Sequence, residues 1–243
     1  MTELLYLRDC YLRTFDARVL QSGKGWAILD RTALYAEGGG QETDYGTLEW
    51  DGGSVRVNEV RKQKGFDGVI HYFDEDVIIP EGTGVRGSVD WDRRYKEMRM
   101  HTAQHLFSAL VLDAYGAETV GNQIHPEISH VDFGPIKITQ EAYERIADKF
   151  NSTVDKKAPV RISFMSRARV LAEIDEKRRN LFSRVPETVE EVRVIEIEGF
   201  DRAPCGGTHV ANTGELGHMV VLNVENKGKD KQRVEFKLSP SAS

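Results

Sequence analysis

Two short motifs contain the residue types that bind transition metals. In the first, His101-Thr102-Ala103-Gln104-His105, the two histidines lie four positions apart. If this segment is helical, both imidazoles emerge on one face about one turn apart, where they can bind the same ion. The pair alone is a weak indication, because histidines are often ordinary polar residues of a core or a surface.

The second motif, Cys205-Gly206-Gly207-Thr208-His209, adds a thiol and a third imidazole. Its two glycines let the backbone turn tightly enough for both side chains to point inward. Sulfur and nitrogen donors of this kind suit Zn²⁺ and disfavour Mg²⁺ or Ca²⁺. We therefore predict one zinc ion per chain, bound by His101, His105, Cys205 and His209.

The chemistry of such a site depends on what accompanies the ligands. Thr102 stands where zinc metalloproteases with a His-Glu-x-x-His helix carry their general-base glutamate, so peptide hydrolysis of that type is not expected. A hydrolase here needs a water polarised by zinc or a base lent by the substrate, such as an RNA hydroxyl. A closed, purely structural zinc site with four protein ligands stays open as the alternative.

A loop with three consecutive glycines precedes these motifs in the chain, Tyr35-Ala36-Glu37-Gly38-Gly39-Gly40-Gln41. Because glycine adopts backbone conformations that other residues avoid, the run predicts an unusual or mobile backbone. A plain turn of a β-barrel is the commoner role of such glycines, and this interpretation stays open beside a functional one.

Hydrophobic periodicity and turn signals predict the elements that position these motifs. Short β-prone runs separated by glycine and Asp-Gly turns are typical of a small β-barrel, which we predict over residues 1–91. The predicted strands are Trp26–Leu29, Gly46–Trp50, Ser54–Val60, Val69–Phe73 and Gly84–Val89.

From Asp92 onward the pattern becomes helical and continues to Gly116, and a second helix is predicted to begin after the N-cap Thr139. We therefore predict the fold class α+β, with a largely antiparallel sheet in a second domain over residues 92–243. The strands predicted in this domain begin with the alternating Val160, Ile162 and Phe164 and continue with Val192–Ile197, His218–Val224 and Arg233–Leu238.

Composition describes an ordinary globular protein. Of the 243 residues, 40% are hydrophobic and 30% are charged, a length and composition that can bury a core without an oligomeric partner. The two cysteines, Cys10 and Cys205, lie far apart in sequence, so a disulfide scaffold is not expected. Since no targeting segment or long apolar run is present, we predict a cytoplasmic protein without a membrane partner.

The formal net charge of −6 argues against attraction of DNA or RNA by the whole protein field, so any nucleic-acid surface must be a local patch. Three basic clusters, each diluted by acidic neighbours, are candidate phosphate contacts. They are Arg93, Arg94, Lys96 and Arg99; Arg167, Arg169, Lys177, Arg178, Arg179 and Arg184; and the segment Lys227 to Lys237.

Several motifs together resemble one known family, the AlaX proteins, which are free-standing relatives of the editing domain of alanyl-tRNA synthetase. The matching motifs extend over most of the chain, so chance agreement in this order is improbable. They are Glu37-Gly38-Gly39-Gly40-Gln41, Val89-Asp90-Trp91-Asp92-Arg93-Arg94, His101-Thr102-Ala103-Gln104-His105-Leu106, Cys205-Gly206-Gly207-Thr208-His209-Val210 and Thr213-Gly214-Glu215-Leu216-Gly217.

The resemblance implies an activity and a partner. Family members hydrolyse the ester that joins serine, and in some members glycine, to alanine tRNA, and they spare alanine. In the family the two histidine-containing motifs hold the zinc, which assigns His101, His105, Cys205 and His209 as ligands here. Alanine tRNA is the implied partner.

The resemblance also implies substrate-pocket residues. The glycine-rich loop, here Gly38, Gly39, Gly40 and Gln41, lies near the editing pocket of relatives, although many of them carry proline where this chain has Ala36 and Glu42. Relatives place a polar residue after the helix against the substrate side chain, and spacing from His105 assigns that place to Asn122, beside Gln123. The complete set of pocket candidates is Thr102, Gln104, Asn122, Gln123 and Thr208.

Two rival interpretations stand beside an editing hydrolase. The first is a zinc-stabilised RNA-binding module without catalysis, since four protein ligands can saturate the ion. The second, a fragment of a complete synthetase, is disfavoured because the N-terminal residues open directly into the predicted barrel and leave no place for an aminoacylation domain.

Overall fold

The structure is a computed structural model that describes residues 1–62, 68–179, 182, 185 and 189–240. The chain divides into two compact units, Met1–Lys96 and Glu97–Ser243. Arg184, one of the candidate phosphate contacts, lies outside the described residues. Among the helices that are described, none has both the length and the apolar character needed to cross a membrane.

The first unit contains a closed barrel of six antiparallel strands in the order β2-β3-β7-β6-β5-β8, together with a short parallel pair of β1 and β4. Closure leaves the barrel without free strand edges. The strands are β1 Glu3–Leu4, β2 Thr14–Gly23, β3 Trp26–Leu29, β4 Arg31–Thr32, β5 Gly46–Trp50, β6 Gly53–Lys62, β7 Val69–Phe73 and β8 Gly84–Val89.

Alternation of side chains along the strands fills the barrel interior. On β6, for example, Val55, Val57 and Val60 are buried while their neighbours face outward, with a register shift between Val57 and Glu59. The predicted barrel is confirmed. The strand β2 was not among the predicted strands, because only Phe15 and Val19 of its ten residues are buried and they give little periodic signal.

The second unit is α+β, as predicted, and combines helices with two antiparallel sheets in the orders β14-β15-β10-β9 and β11-β12-β13. Its helices are α1 Trp91–Tyr115, whose first residues belong to the first unit, α2 Gln140–Val154 and α3 Arg167–Glu173. Its strands are β9 Glu118–Gln123, β10 Ser129–Gly134, β11 Val160–Ser166, β12 Glu191–Ile197, β13 Asp201–Pro204, β14 Met219–Asn226 and β15 Gln232–Leu238.

Helix α2 is amphipathic and begins where the sequence indicated. The hydroxyl of Thr139 accepts a hydrogen bond from the backbone N–H of Ala142, which satisfies one of the free donors of the first turn. Its buried stripe includes Tyr143, Ile146 and Phe150, and the helix packs against β14. This stripe therefore belongs to the core of the second unit.

Helix α1 differs from α2, because almost every side chain from Met98 to Val111 is buried, polar ones included. The hairpin of β12 and β13 turns at Gly199, whose φ of 77° suits glycine. Asp201 is the first residue of β13, and Cys205 directly follows the last residue of that strand. Buried polar side chains need partners, and His105 on α1 finds one in Asp201 of this hairpin.

Candidate metal centre

The side chains of His101, His105, Cys205 and His209 converge at one point in the second unit. One potential ligand atom of each residue lies within 4.8 Å of the corresponding atoms of the other three. The two histidines of α1 come from successive turns of one face, as their spacing predicts. Cys205 and His209 come from the loop after β13, so the two sequence motifs meet in space.

Two distances between donor atoms are close to the edge of a tetrahedral zinc site. Sγ of Cys205 lies 3.5 Å from Nε2 of His101 and 3.3 Å from Nε2 of His209. With zinc–nitrogen bonds of about 2.0–2.1 Å and a zinc–sulfur bond of about 2.3 Å, the nitrogen–sulfur edge of a tetrahedron measures about 3.6 Å. The donor atoms and their separations therefore suit one zinc ion, whose ligands would be these four residues.

The loop that carries Cys205 and His209 is fixed by hydrogen bonds to its backbone. The guanidinium of Arg193 donates to the carbonyl oxygens of Cys205, at 2.6 Å, and of Gly207, at 2.8 Å. The N–H of Cys205 donates to the carbonyl of Arg193 at 3.1 Å, and the N–H of Gly207 donates to Sγ of Cys205 at 3.4 Å. A strand of the adjacent hairpin thus holds the metal-binding loop in place.

The cluster favours an ionised thiol. Burial opposes the charge, but the neighbouring imidazoles outweigh burial and hold the pKa of the Cys205 thiol well below its usual value. Burial also lowers the pKa of His209, with His101 acting in the same direction. At His105 burial is outweighed by Cys205 and Asp201, which raise its pKa to about 9. A thiolate is the form of cysteine that binds a metal.

Asp201 supports the cluster and was not among the predicted site residues. Its Oδ2 accepts a hydrogen bond from Nδ1 of His105 at 3.0 Å. Arg178 donates to both carboxylate oxygens of Asp201 at 2.6 Å. Burial opposes ionisation of this carboxyl, but Arg178 and His105 lower its pKa to about 2. No sequence motif indicates Asp201 as a partner of His105, because the two residues lie 96 positions apart in the chain.

Thr102 contacts His209, one of the four candidate metal ligands. Its hydroxyl accepts the backbone N–H of Val210 at 3.2 Å and lies 3.1 Å from Nδ1 of His209. With Nε2 of His209 bound to a metal, Nδ1 would carry the hydrogen and donate it to Thr102. The side chain is fully buried, so the structure places Thr102 where it orients His209.

A cleft of about 300 Å³ borders His105 and contains two of the predicted pocket residues, Gln104 and Asn122. Nε2 of Gln104 donates to Oγ of Ser108 at 2.7 Å, and the hydroxyl of Thr119 donates to the same oxygen at 2.8 Å. The cleft therefore has a polar wall with ordered side chains. Its lining consists of Gln104, His105, Glu118, Thr119, Val120, Gly121, Asn122, Arg178, Ala203 and Pro204.

Two other predicted pocket residues lie elsewhere. Gln123 pairs with His130 in the sheet and is exposed, and Thr208 is fully buried. Neither Gln123 nor Thr208 is part of the cleft lining among the described residues. Their contact with a substrate stays a prediction.

The glycine-rich loop belongs to the first unit and has the unusual backbone that its composition indicates. Gly39 and Gly40 adopt φ angles of 61° and 87°. The backbone N–H of Gly38 donates to the carbonyl of Gln41 at 3.2 Å, and the N–H of Gln41 donates to the carbonyl of Gly38 at 3.0 Å. The Tyr35 hydroxyl closes the loop with a 2.7 Å hydrogen bond to the Gly38 carbonyl. The loop is therefore a hydrogen-bonded turn.

The first basic cluster mostly serves the fold. Arg94 is fully buried and donates to Asp44 through Nε at 2.8 Å and to the carbonyl of Cys10 at 3.0 Å, so its prediction as a phosphate contact was wrong. Arg93 donates to Glu42 at 2.6 Å and stacks on Tyr45. Basic residues that are neighbours in sequence thus have different roles, because tertiary packing decides which of them are buried.

Two family profiles match parts of the chain. Residues 192–235 match the family described as threonyl and alanyl tRNA synthetase second additional domain, and residues 7–93 match the family described as tRNA synthetases class II (A). The first match includes two ligands of the cluster, Cys205 and His209. The second covers the barrel and ends within the first turn of α1.

Curated relatives match the chain along its full length. The alanyl-tRNA editing protein AlaX-M of Methanosarcina barkeri is 38% identical over 98% of this chain and 99% of its own length. That of Saccharolobus solfataricus is 36% identical over 99% of this chain and 100% of its own length. The alanine–tRNA ligase of Korarchaeum cryptofilum is 39% identical over 97% of this chain but only 26% of the ligase. The chain therefore belongs to the AlaX-M family of alanyl-tRNA editing proteins.

Proposed function

We propose that this protein is a trans-editing hydrolase that removes serine or glycine from mischarged alanine tRNA and leaves correctly charged alanine in place. The observation that carries the proposal is the buried cluster of three histidines and one cysteine beside a cleft with a polar wall. The family supplies the reaction class, since its named members are alanyl-tRNA editing proteins. The enzyme would act on tRNA in the cytoplasm.

Selection of serine over alanine rests on one hydroxyl group. Gln104 and Asn122 border the cleft and offer amide groups to that hydroxyl. When alanine enters, the hydrogen bond that these groups make to the serine hydroxyl is lost, which costs binding free energy. Sites that hydrogen-bond a substrate hydroxyl reject the analogue that lacks it by factors on the order of 10⁴.

A zinc ion held by the four ligands would polarise the ester or a water molecule. Thr102 contacts His209 and would orient it for metal binding. Asp201 is a poor general base, because its pKa is lowered to about 2 and its oxygens already accept hydrogen bonds from Arg178. We therefore assign proton transfer to the adjacent ribose hydroxyl of the tRNA.

Glu118 offers an alternative base that can be tested directly. Among the described residues that line the cleft, Glu118 is the one with a carboxylate. If the ribose hydroxyl takes the proton, Glu118→Gln keeps serine release within about threefold of the unchanged protein. Loss of 100-fold or more, with zinc content unchanged, would move the base to Glu118.

A second candidate function is a zinc-stabilised RNA-binding module. It is favoured by the number of protein donors, because four residues bound to one ion would fill a tetrahedral coordination shell. The two functions differ in turnover, because only the hydrolase releases an amino acid.

The deciding experiment measures release of labelled amino acid from serine-charged and alanine-charged tRNA specific for alanine. We expect rapid loss of serine, retention of alanine, and at least a 100-fold slower serine release with His105→Ala. His218→Ala is the matched control, since His218 is exposed and pairs with Asp155 outside the cluster. Absence of release from the unchanged protein, despite bound zinc and tRNA, would contradict the hydrolase and leave the RNA-binding module.

A further inference from the structure

A series of hydrogen bonds links Arg178 through Asp201 to His105. Nδ1 of His105 contacts Asp201 Oδ2 at 3.0 Å, and Arg178 holds both oxygens of that carboxylate at 2.6 Å. The side chain of Asp201 is 1% exposed and that of Arg178 is 12% exposed. Such a buried, charge-assisted chain is stronger than exposed ion pairs, because little water competes with it.

We propose that Asp201 and Arg178 are positioning residues that fix His105 for metal binding. The carboxylate accepts the hydrogen of Nδ1, which leaves the lone pair of Nε2 free to face an ion. The bidentate guanidinium in turn prevents Asp201 from rotating away from the histidine. This inference rests on the metal-binding part of the proposed function, and it does not depend on which amino acid is released.

His105 and His209 are oriented by different kinds of partner, and that of His105 is charged. His209 is oriented by the neutral hydroxyl of Thr102. A carboxylate partner raises the basicity of an imidazole ligand more than a neutral oxygen does. Loss of the Asp201 charge is therefore expected to weaken the bond between His105 and the ion.

The same unit contains a matched ion pair away from the cluster. Arg233 donates to both oxygens of Asp132, at 2.8 and 3.1 Å, across neighbouring strands of the four-stranded sheet. Asp132 is also well buried, and it forms ion pairs with the basic residues Arg233 and Lys231. Asp132→Asn therefore breaks a similar bidentate pair without touching a metal ligand.

The test measures zinc affinity by competition with a chelator, together with the absorption spectrum of the cobalt-substituted full-length protein. We expect Asp201→Asn to weaken zinc binding by about 10- to 100-fold and to change the cobalt bands. Arg178→Lys, which keeps the charge but loses the fork, should weaken binding by a smaller factor. Asp132→Asn should leave both readouts unchanged.

The outcomes separate this inference from the function it rests on. If Asp201→Asn and Arg178→Lys both bind zinc as tightly as Asp132→Asn does, the positioning role is wrong while the zinc site stands. If the unchanged protein binds no zinc, the metal site and the inference fail together. Should Asp201→Asn fail to fold, as judged by melting of the metal-free protein, the affinity of Arg178→Lys decides.

Discussion

Two buried histidines, one in each unit, respond to burial in opposite ways. In the barrel, burial lowers the pKa of His71 to about 4, against a weaker opposing effect of its hydrogen bond to Ala27. In the second unit, Cys205 and Asp201 outweigh burial and raise the pKa of His105 to about 9. Burial alone therefore does not set the pKa of a histidine, because charged neighbours can reverse its effect.

The buried histidines of the two units also differ in the partners of their ring nitrogens. The ring of His71 is satisfied by neutral partners, with Nδ1 at 3.3 Å from the Ala27 carbonyl and Nε2 at 2.9 Å from the Thr32 hydroxyl. In the second unit the outer nitrogens of His105 and His209 are satisfied, and the inner ones point at a shared centre. His71 is thus satisfied by neutral groups of the barrel, whereas the inner nitrogens of the cluster face other groups that can bind a metal.

The largest expected effect comes from removing a ligand of the cluster. Cys205→Ala should abolish high-affinity zinc binding and slow serine release by at least 1,000-fold, because three imidazoles remain and the thiolate is lost. Metal analysis and the release assay measure both. His71→Gln is the comparison in the barrel, and an equal loss of zinc in that variant would refute the distinction between the two histidines.

The buried ion pair of the barrel should matter for stability and not for zinc. Arg94 and Asp44 are both 0% exposed, so Arg94→Met leaves a buried carboxylate without its guanidinium. We expect a loss of about 3–5 kcal/mol in the free energy of unfolding, measured in urea. The surface variant Arg61→Ala, in a pair that is half exposed, should cost less than about 1 kcal/mol. Similar costs for both variants would contradict the burial argument.

Acid should weaken the barrel through His71. The pKa of this histidine is about 4 when folded and about 6.5 when unfolded, so the unfolded chain binds more protons between those values. Stability is therefore fully present above about pH 6.5 and falls as the pH drops toward 4, by at most about 3 kcal/mol. Urea unfolding at pH 7 and 4.5 tests this, and a His71→Gln variant with the same pH dependence would show that another group is responsible.

The smallest effect is expected in the glycine-rich loop. Gly39 has a φ of 61°, and a Cβ there would meet nothing within 4 Å, so Gly39→Ala costs only backbone strain of about 1 kcal/mol. Gly84→Ala in β8 is the control, because that position is equally open and no left-handed φ is recorded there. Melting temperatures compare the two, and equal values would remove the strain argument.

Sequence reasoning was most successful where the information is local. The helical spacing of His101 and His105 and the turn around Cys205 are readable in short windows, and the cluster then follows from the chemistry of the donors. Asn122 was placed by spacing and does border the cleft. Local patterns therefore predicted the four side chains that converge, and the family resemblance added Asn122 of the cleft.

Tertiary contacts explain what sequence reasoning missed. The hairpin of β12 and β13 brings Asp201 to His105 on α1, where Arg178 also reaches the carboxylate. From its charge pattern alone, the sequence predicts Arg178 as a phosphate contact. Thr102 was expected in the substrate pocket, but the contact that the structure gives it is with His209. Residues that act through another residue leave no spacing signal of their own.

The central claim is that the cluster holds one zinc ion on which editing depends. The most direct measurement follows zinc content and serine release in one sample through removal of the metal by a chelator and its return. We expect one zinc per chain, loss of serine release with the metal, and recovery of both when zinc is restored. Serine release that persists after the zinc has been removed, with the protein still folded, would contradict the claim.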